Sequence, residues 1–194
     1  VCFEFHSKMN TQSIDSMALL EASIKKVSAD YLGMVIHNEA DHFSAGANLT
    51  LLTPAILAQD WETVKSIVQL GQNTFRTLKY APFPVVAAPT GLALGGGCEI
   101  LLHCDAIQAH AELYTGLVEV SVGLIPGWGG CKELLRRWQS NPRCPKGPIP
   151  AIAQTFETIG LAKVSQSAQE AKELLFLAKT DGITMNKDRL QYTH

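Results

Sequence analysis

Two acids and a run of glycines carry the chemistry in this sequence. Gly95, Gly96 and Gly97 follow an apolar run and open a helix, and Glu99 stands in its first turn. A second acid, Glu119, follows in a Gly-rich, largely uncharged stretch. Peptide N–H groups at a helix start stabilise negative charge, and carboxylates in apolar surroundings take up and release protons near neutral pH. Ser44-Ala45-Gly46-Ala47-Asn48 is a second small-residue segment that lets a ligand approach the backbone. Each feature also has a plain structural reading. Glycines permit tight turns, an acid in a first turn favours the helix dipole, and Glu119 suits a solvated helix end. Spacing alone does not bring the two acids together.

The elements that position these residues follow a strand–helix order. Val1 to Phe5 reads as a strand end, Ser13 to Ala29 as an amphipathic helix, and Tyr31 to His37 as a buried strand. Pro54 to Tyr80 reads as one long amphipathic helix, with Trp61, Val64, Ile67, Val68, Phe75 and Leu78 on one side and Trp61 and Phe75 in the core. Val85 to Pro89 and Ala106 to Ala109 are predicted strands flanking a helix over Gly97 to His103. Gly130 to Trp138 follows as a helix whose Lys132, Arg136 and Arg137 form an exposed face. Residues 141–150, with four prolines, read as an exposed connection. Ala151 to Ala162 and Ser167 to Ala178 are predicted helices, the second with Ser167 as N-cap and Glu170 at the capping-box position. A polar tail begins at Asp188. This order predicts an α/β fold with mainly parallel strands covered by helices.

Composition bounds the function. The 194 residues suit a single domain over 1–194, with 46% hydrophobic and 18% charged residues. A net charge of −2 excludes a broad nucleic-acid surface, and no apolar run is long enough to span a membrane. Five scattered cysteines form no CxxC pair, which predicts free thiols in a reducing, cytoplasmic setting. Cys98, His103 and Cys104 match no common zinc spacing, so no metal is expected. No GxGxxG follows a strand, so the chain shows no dinucleotide fingerprint. The start lacks Met and reads like mid-strand, which predicts a piece of a longer protein.

Three ordered segments change the weighing. HFSAGANL (His42 to Leu49), PVVAAPTGLALGGGCEI and GLVEVSVGLIPGWGG together resemble the crotonase (enoyl-CoA hydratase/isomerase) superfamily over most of the chain. The likeness is to the hydratase part of a fused 3-hydroxyacyl-CoA dehydrogenase protein. It implies a crotonase-like ββα spiral core, truncated at both ends. It implies an oxyanion hole from the N–H groups of Ala47 and Gly96, with Glu99 and Glu119 as catalytic acid and base. Ala45, Gly46, Asn48 and Leu49 would line the coenzyme A side, and Lys8 would approach the CoA phosphates.

Reversible hydration of a trans-2-enoyl-CoA in fatty-acid β-oxidation is the implied activity. The alternatives are a Δ3,Δ2-enoyl-CoA isomerase with Glu119 as base, and a non-catalytic acyl-CoA-binding or assembly module. The CoA thioester is then substrate rather than cofactor, and NAD belongs to a separate dehydrogenase domain. Homo-oligomerisation or packing against that domain is also implied. Four positions depart from the family pattern. Asn48 stands for a frequent Asp, Thr50 for a CoA-contacting lysine, Val118 for a proline, and Trp128 for Gly or Ala. The bulk of Trp128 is expected to fill part of the acyl pocket.

Overall fold

A computed structural model describes residues 1–50 and 52–190. Five short parallel strands form the main sheet: β1 (Cys2–Phe3), β2 (Met34–Ile36), β3 (Val85–Ala87), β5 (Ala106–His110) and β7 (Gly182–Thr184), in the order β1-β2-β3-β5-β7. A second layer pairs β4 (Leu92–Leu94) in parallel with β6 (Tyr114–Gly116). Single bridges extend this layer, Gln12 to Ala47, Ser44 to Ala93 and Thr115 to Ser165. Successive turns of chain thus add a strand to one layer, a strand or bridge to the other, and then a helix. This is the spiral ββα repeat with mainly parallel strands that the resemblance implies.

Helix α1 (Ile14–Asp30) starts where Ser13 and Ser16 cap each other reciprocally. Its Met17, Leu20, Ile24 and Val27 recur at three- and four-residue steps and are all buried. The stretch predicted as one helix from Pro54 to Tyr80 is two, α2 (Leu52–Leu57) and α3 (Trp61–Lys79). Gln59 takes the left-handed region at φ 55°, and the Asp60 carboxylate then accepts the Thr63 N–H at 3.1 Å as a fresh N-cap. Phe75 is buried as expected, but Trp61 is 58% exposed, so the apolar stripe does not run into the core along its whole length.

Helix α4 (Gly96–His103) is buried at every position, and α5 (Gly130–Ser140) packs on it. In α5, Lys132 and Arg136 face outward as predicted and pair with Glu133. Arg137 departs from that face. Its guanidinium donates to the carbonyls of Leu175 and Phe176 at 3.2 and 2.8 Å, closing backbone acceptors where the chain turns.

The proline-rich connection is shorter than residues 141–150, because α6 (Pro148–Gly160) already begins at Pro148. Proline fits a first helical turn, whose N–H groups have no intrahelical partner. Helix α6 ends at Gly160, with Ala162 left-handed at φ 46°. Helix α7 (Ala168–Glu173) stops well before Ala178, since Leu175 is left-handed at φ 62°. Ser167 does cap it, but the Glu170 carboxylate accepts the Gln166 N–H rather than that of Ser167. The end of the polar tail, residues 191–194, lies outside the described residues. All five cysteines are free thiols, and among the described residues no group of side chains has the makings of a metal site. No described helix is long and apolar enough to cross a membrane.

Candidate active site

The site begins with the main chain of Gln12. Its N–H donates to the Gly46 carbonyl at 2.9 Å, and its carbonyl accepts the Asn48 N–H at 2.8 Å. A parallel bridge of this kind engages the residues on either side of Ala47 and turns the Ala47 N–H the other way. Among the described residues that N–H meets no acceptor. The Gly96 N–H is the first of α4 and is likewise without one, while its neighbour Gly95 donates to Gly116 at 2.9 Å. The two segments touch. A Cβ built on Gly46, at φ 102°, would lie 2.9 Å from the Leu94 carbonyl oxygen and 3.4 Å from the Gly96 nitrogen.

Both segments line one cavity of about 540 Å³, together with Glu99 and Glu119. Glu99 is buried in the first turn of α4, and its Oε1 accepts the N–H groups of Trp128 at 2.9 Å and Gly130 at 2.8 Å. Glu119 begins a 3-10 turn, Glu119–Val122, beside the glycine turn, where a Cβ on Gly95 would lie 3.3 Å from its Oε1. Both Glu119 carboxylate oxygens are shielded from solvent and accept no hydrogen bond from another described residue. Glu119 is therefore not the solvated helix-end charge that its sequence setting also allowed.

The electrostatics follow from this burial. Desolvation, then the charge of Glu119, raise the Glu99 pKa to about 8 against the opposing pull of two backbone N–H groups. Desolvation raises Glu119 to about 7. The pair thus exchanges protons close to neutral pH, as general acid–base work requires. His103 takes no part. Burial lowers its pKa to about 4, its Nδ1 bonds the Glu99 carbonyl at 2.7 Å, and it packs on Phe75.

The remaining predicted residues divide. Ala45, Gly46, Asn48 and Leu49 line the cavity with Ala47. Lys8 sits exposed in a 3-10 turn, Lys8–Asn10, and does not line the cavity. The sequence reading missed Gln12 and Gly71, and took Ser44 only as part of the small-residue segment. Gln12 is 1% exposed; its Nε2 donates to Ser44 Oγ at 2.7 Å, and that hydroxyl donates onward to the Asn10 carbonyl at 2.8 Å. Because the hydroxyl proton is used on Asn10, the Gln12 amide must present nitrogen to Ser44, which leaves Oε1 unpartnered at Gly96. A glutamine among small polar residues before a helix was the one available signal. Val64, Ile67 and Val68 of α3 wall the cavity instead of the core.

Known proteins resemble this chain in sequence and fold. The family described as Enoyl-CoA hydratase/isomerase matches residues 3–140. A Bacillus subtilis (strain 168) protein named "Probable 3-hydroxyacyl-CoA dehydrogenase" is 43% identical over 189 residues, covering 97% of this chain and 24% of that protein. The fatty acid oxidation complex subunit alpha of Idiomarina loihiensis is 39% identical over 214 residues, covering 98% of this chain and 29% of its own length. The chain thus spans about a quarter of the length of these relatives. Among solved structures, an enoyl-CoA hydratase from Bacillus anthracis superposes with a TM-score of 0.78 at 25% identity, over 98% of this chain and 67% of that one. The matched residues include every strand and helix that carries the two carboxylates and the two free N–H groups, and on this ground the chain belongs to the enoyl-CoA hydratase/isomerase family.

Proposed function

We propose that the chain catalyses reversible hydration of a trans-2-enoyl-CoA to the 3-hydroxyacyl-CoA. The observation that carries this reading is the convergence of two buried carboxylates and two unpartnered N–H groups on one cavity. The thioester carbonyl accepts hydrogen bonds from Ala47 and Gly96. Those bonds strengthen as negative charge develops on its oxygen, and each such donor is worth about 2.7–4 kcal/mol of barrier. Water adds through oxygen to C3, giving up a proton to the ionised member of the Glu99–Glu119 pair. The protonated member supplies a proton to C2, so water is added overall and the pair returns to its starting charge. In the reverse direction the same groups eliminate water.

The names of the relatives support a place in fatty-acid β-oxidation. The CoA thioester is substrate, and the domain itself holds no cofactor. NAD belongs to a dehydrogenase segment in proteins of the longer kind. Crotonyl-CoA hydration by the wild type, set against Glu99→Gln and Glu119→Gln, tests the reading. Each variant is expected to lose at least about 100-fold in kcat, and unchanged rates in both would overturn the proposal.

One observation favours a second reaction at the same site. No other described residue donates to the Glu119 carboxylate, so it is free to carry a proton between carbons, as a Δ3,Δ2-enoyl-CoA isomerase requires. Isomerase turnover that survives Glu99→Ala, in a wild type that hydrates nothing, would establish that reading instead.

A further inference from the structure

Gly71 stands in the middle of α3, where glycine weakens a helix relative to alanine. Its backbone does not explain the choice, since it is helical and not left-handed. Its neighbour does. A Cβ on Gly71 would lie 2.2 Å from Nε1 and 2.3 Å from Cδ1 of Trp128. The same indole reaches across to α4, where a Cβ on Gly96 would lie 2.8 Å from Cζ3. Trp128 is therefore wedged between two glycines, and its ring stands edge-on to Phe75 with centroids 5.6 Å apart.

The backbone under the indole is held from both sides. The Gln72 amide donates to the Gly127 carbonyl at 2.8 Å, and the Trp128 N–H bonds Glu99 at 2.9 Å. A ring so fixed is a wall. It lines the cavity against Gly96, and Val68 and Leu70 of α3 line the same cavity. Behind it lie Phe75 and the hydrophobic core, so the space the indole occupies is apolar.

We infer that Trp128, seated on Gly71, is the stop that ends the acyl part of the cavity, making short-chain acyl-CoA thioesters the preferred ligands. This rests on the acyl-CoA reading above. Removing the indole leaves an apolar void, and voids of roughly 150 Å³ lined by such side chains stay dry and accept apolar ligands. Each further methylene admitted there is worth roughly four-fold in affinity.

The test is calorimetric titration of the full chain with saturated acyl-CoAs from butanoyl to dodecanoyl, which bind without turning over. Wild type is expected to favour the short members. Trp128→Ala is expected to shift the ratio of decanoyl to butanoyl affinity by about ten-fold or more toward the long chain. Gly71→Ala alone is expected to push the indole inward and weaken every member. Gly71→Ala combined with Trp128→Ala is expected to restore the long-chain profile, and it supplies a second variant if Trp128→Ala fails to fold. Tight binding with one length profile in wild type and in the Trp128 variants would overturn the stop and leave the acyl-CoA reading standing. Binding of no acyl-CoA at all would overturn both.

Discussion

Glu99 Oε1 lies 2.8 Å from the backbone nitrogen of Gly130, so an acid in α4 is held by the first turn of α5. The same oxygen takes the Trp128 N–H, which aims the carboxylate through the main chain without a partner cation. A Cβ on Gly130 would lie 2.7 Å from Leu117 Cδ2 and 3.0 Å from that Glu99 oxygen. Gly130→Ala is therefore expected to displace the carboxylate, costing about 1–3 kcal/mol of stability. Turnover is expected to fall at least about ten-fold with a smaller change in KM, because an interaction used in the transition state is misplaced. Denaturant unfolding and steady-state kinetics on an enoyl-CoA check both.

Stability should fall as pH rises past neutrality. Glu99 and Glu119 have folded pKa values raised to about 8 and about 7, from an ordinary 4.5. The folded state therefore holds protons that the unfolded chain has already lost, and this advantage disappears as pH rises through the folded values. His103, lowered to about 4 from 6.5, adds an opposing rise until its unfolded imidazole has lost its proton, roughly one pH unit above 6.5, so the decline due to the acids stands clear from there to about pH 8. Thermal unfolding is expected to show Tm declining across that window, and a shallower decline in Glu99→Gln.

Gly46 is needed twice, for its left-handed φ of 102° and for the 2.9 Å gap to the Leu94 carbonyl oxygen. Gly46→Ala is expected to cost about 1–3 kcal/mol in backbone strain. It also drives apart the segments bearing Ala47 and Gly96. Loss of kcat, exceeding any loss of affinity for a saturated acyl-CoA, is the expected kinetic sign.

Glu133 offers a control on structure rather than chemistry. Its carboxylate is 1% exposed and meets Lys79 at 2.8 Å, Lys132 at 3.0 Å and Arg136 at 3.1 Å. Burial alone would raise its pKa, but the three cations outweigh it and hold the group at about 2. Its contribution is present above pH 4.5 and is lost as pH falls toward 2. Glu133→Ala leaves half-buried Lys79 without its carboxylate and is expected to destabilise by about 3 kcal/mol, measured by urea unfolding at neutral pH.

The striped helices and the apolar strands β1, β2, β3 and β5 were legible in the sequence, and the strands among glycines were not. Helix α1 shows its buried stripe and its cap directly, as Met17 to Val27 behind Ser13. The strands β4, β6 and β7 hold three residues each, too few for alternation to register among glycines. Trp61 was misplaced because an apolar stripe facing a cavity or solvent has the same spacing as one facing a core. At the site, residue types singled out Glu99, Gly96 and the segment around Ala47, but their meeting with Glu119 rested on the family resemblance. Gln12 escaped notice because it positions Ala47 through its main chain, and backbone pairing leaves no trace in residue type. Gly71 escaped because its partner lies 57 positions onward, at Trp128.

The Ala47 and Gly96 amides lie between bonded neighbours. Gly46 donates to Ser44 Oγ, Asn48 to Gln12, and Gly95 to Gly116, each at 3.1 Å or less. In solvent deuterium, exchange at Gly46, Asn48 and Gly95 requires a local opening that breaks those bonds, whereas Ala47 and Gly96 have no such bond to break. The two amides that face the cavity are therefore expected to exchange ahead of their neighbours in the free protein. A bound thioester carbonyl would close that difference, so these two protons form a built-in reporter of occupancy that needs no turnover, no label and no substitution.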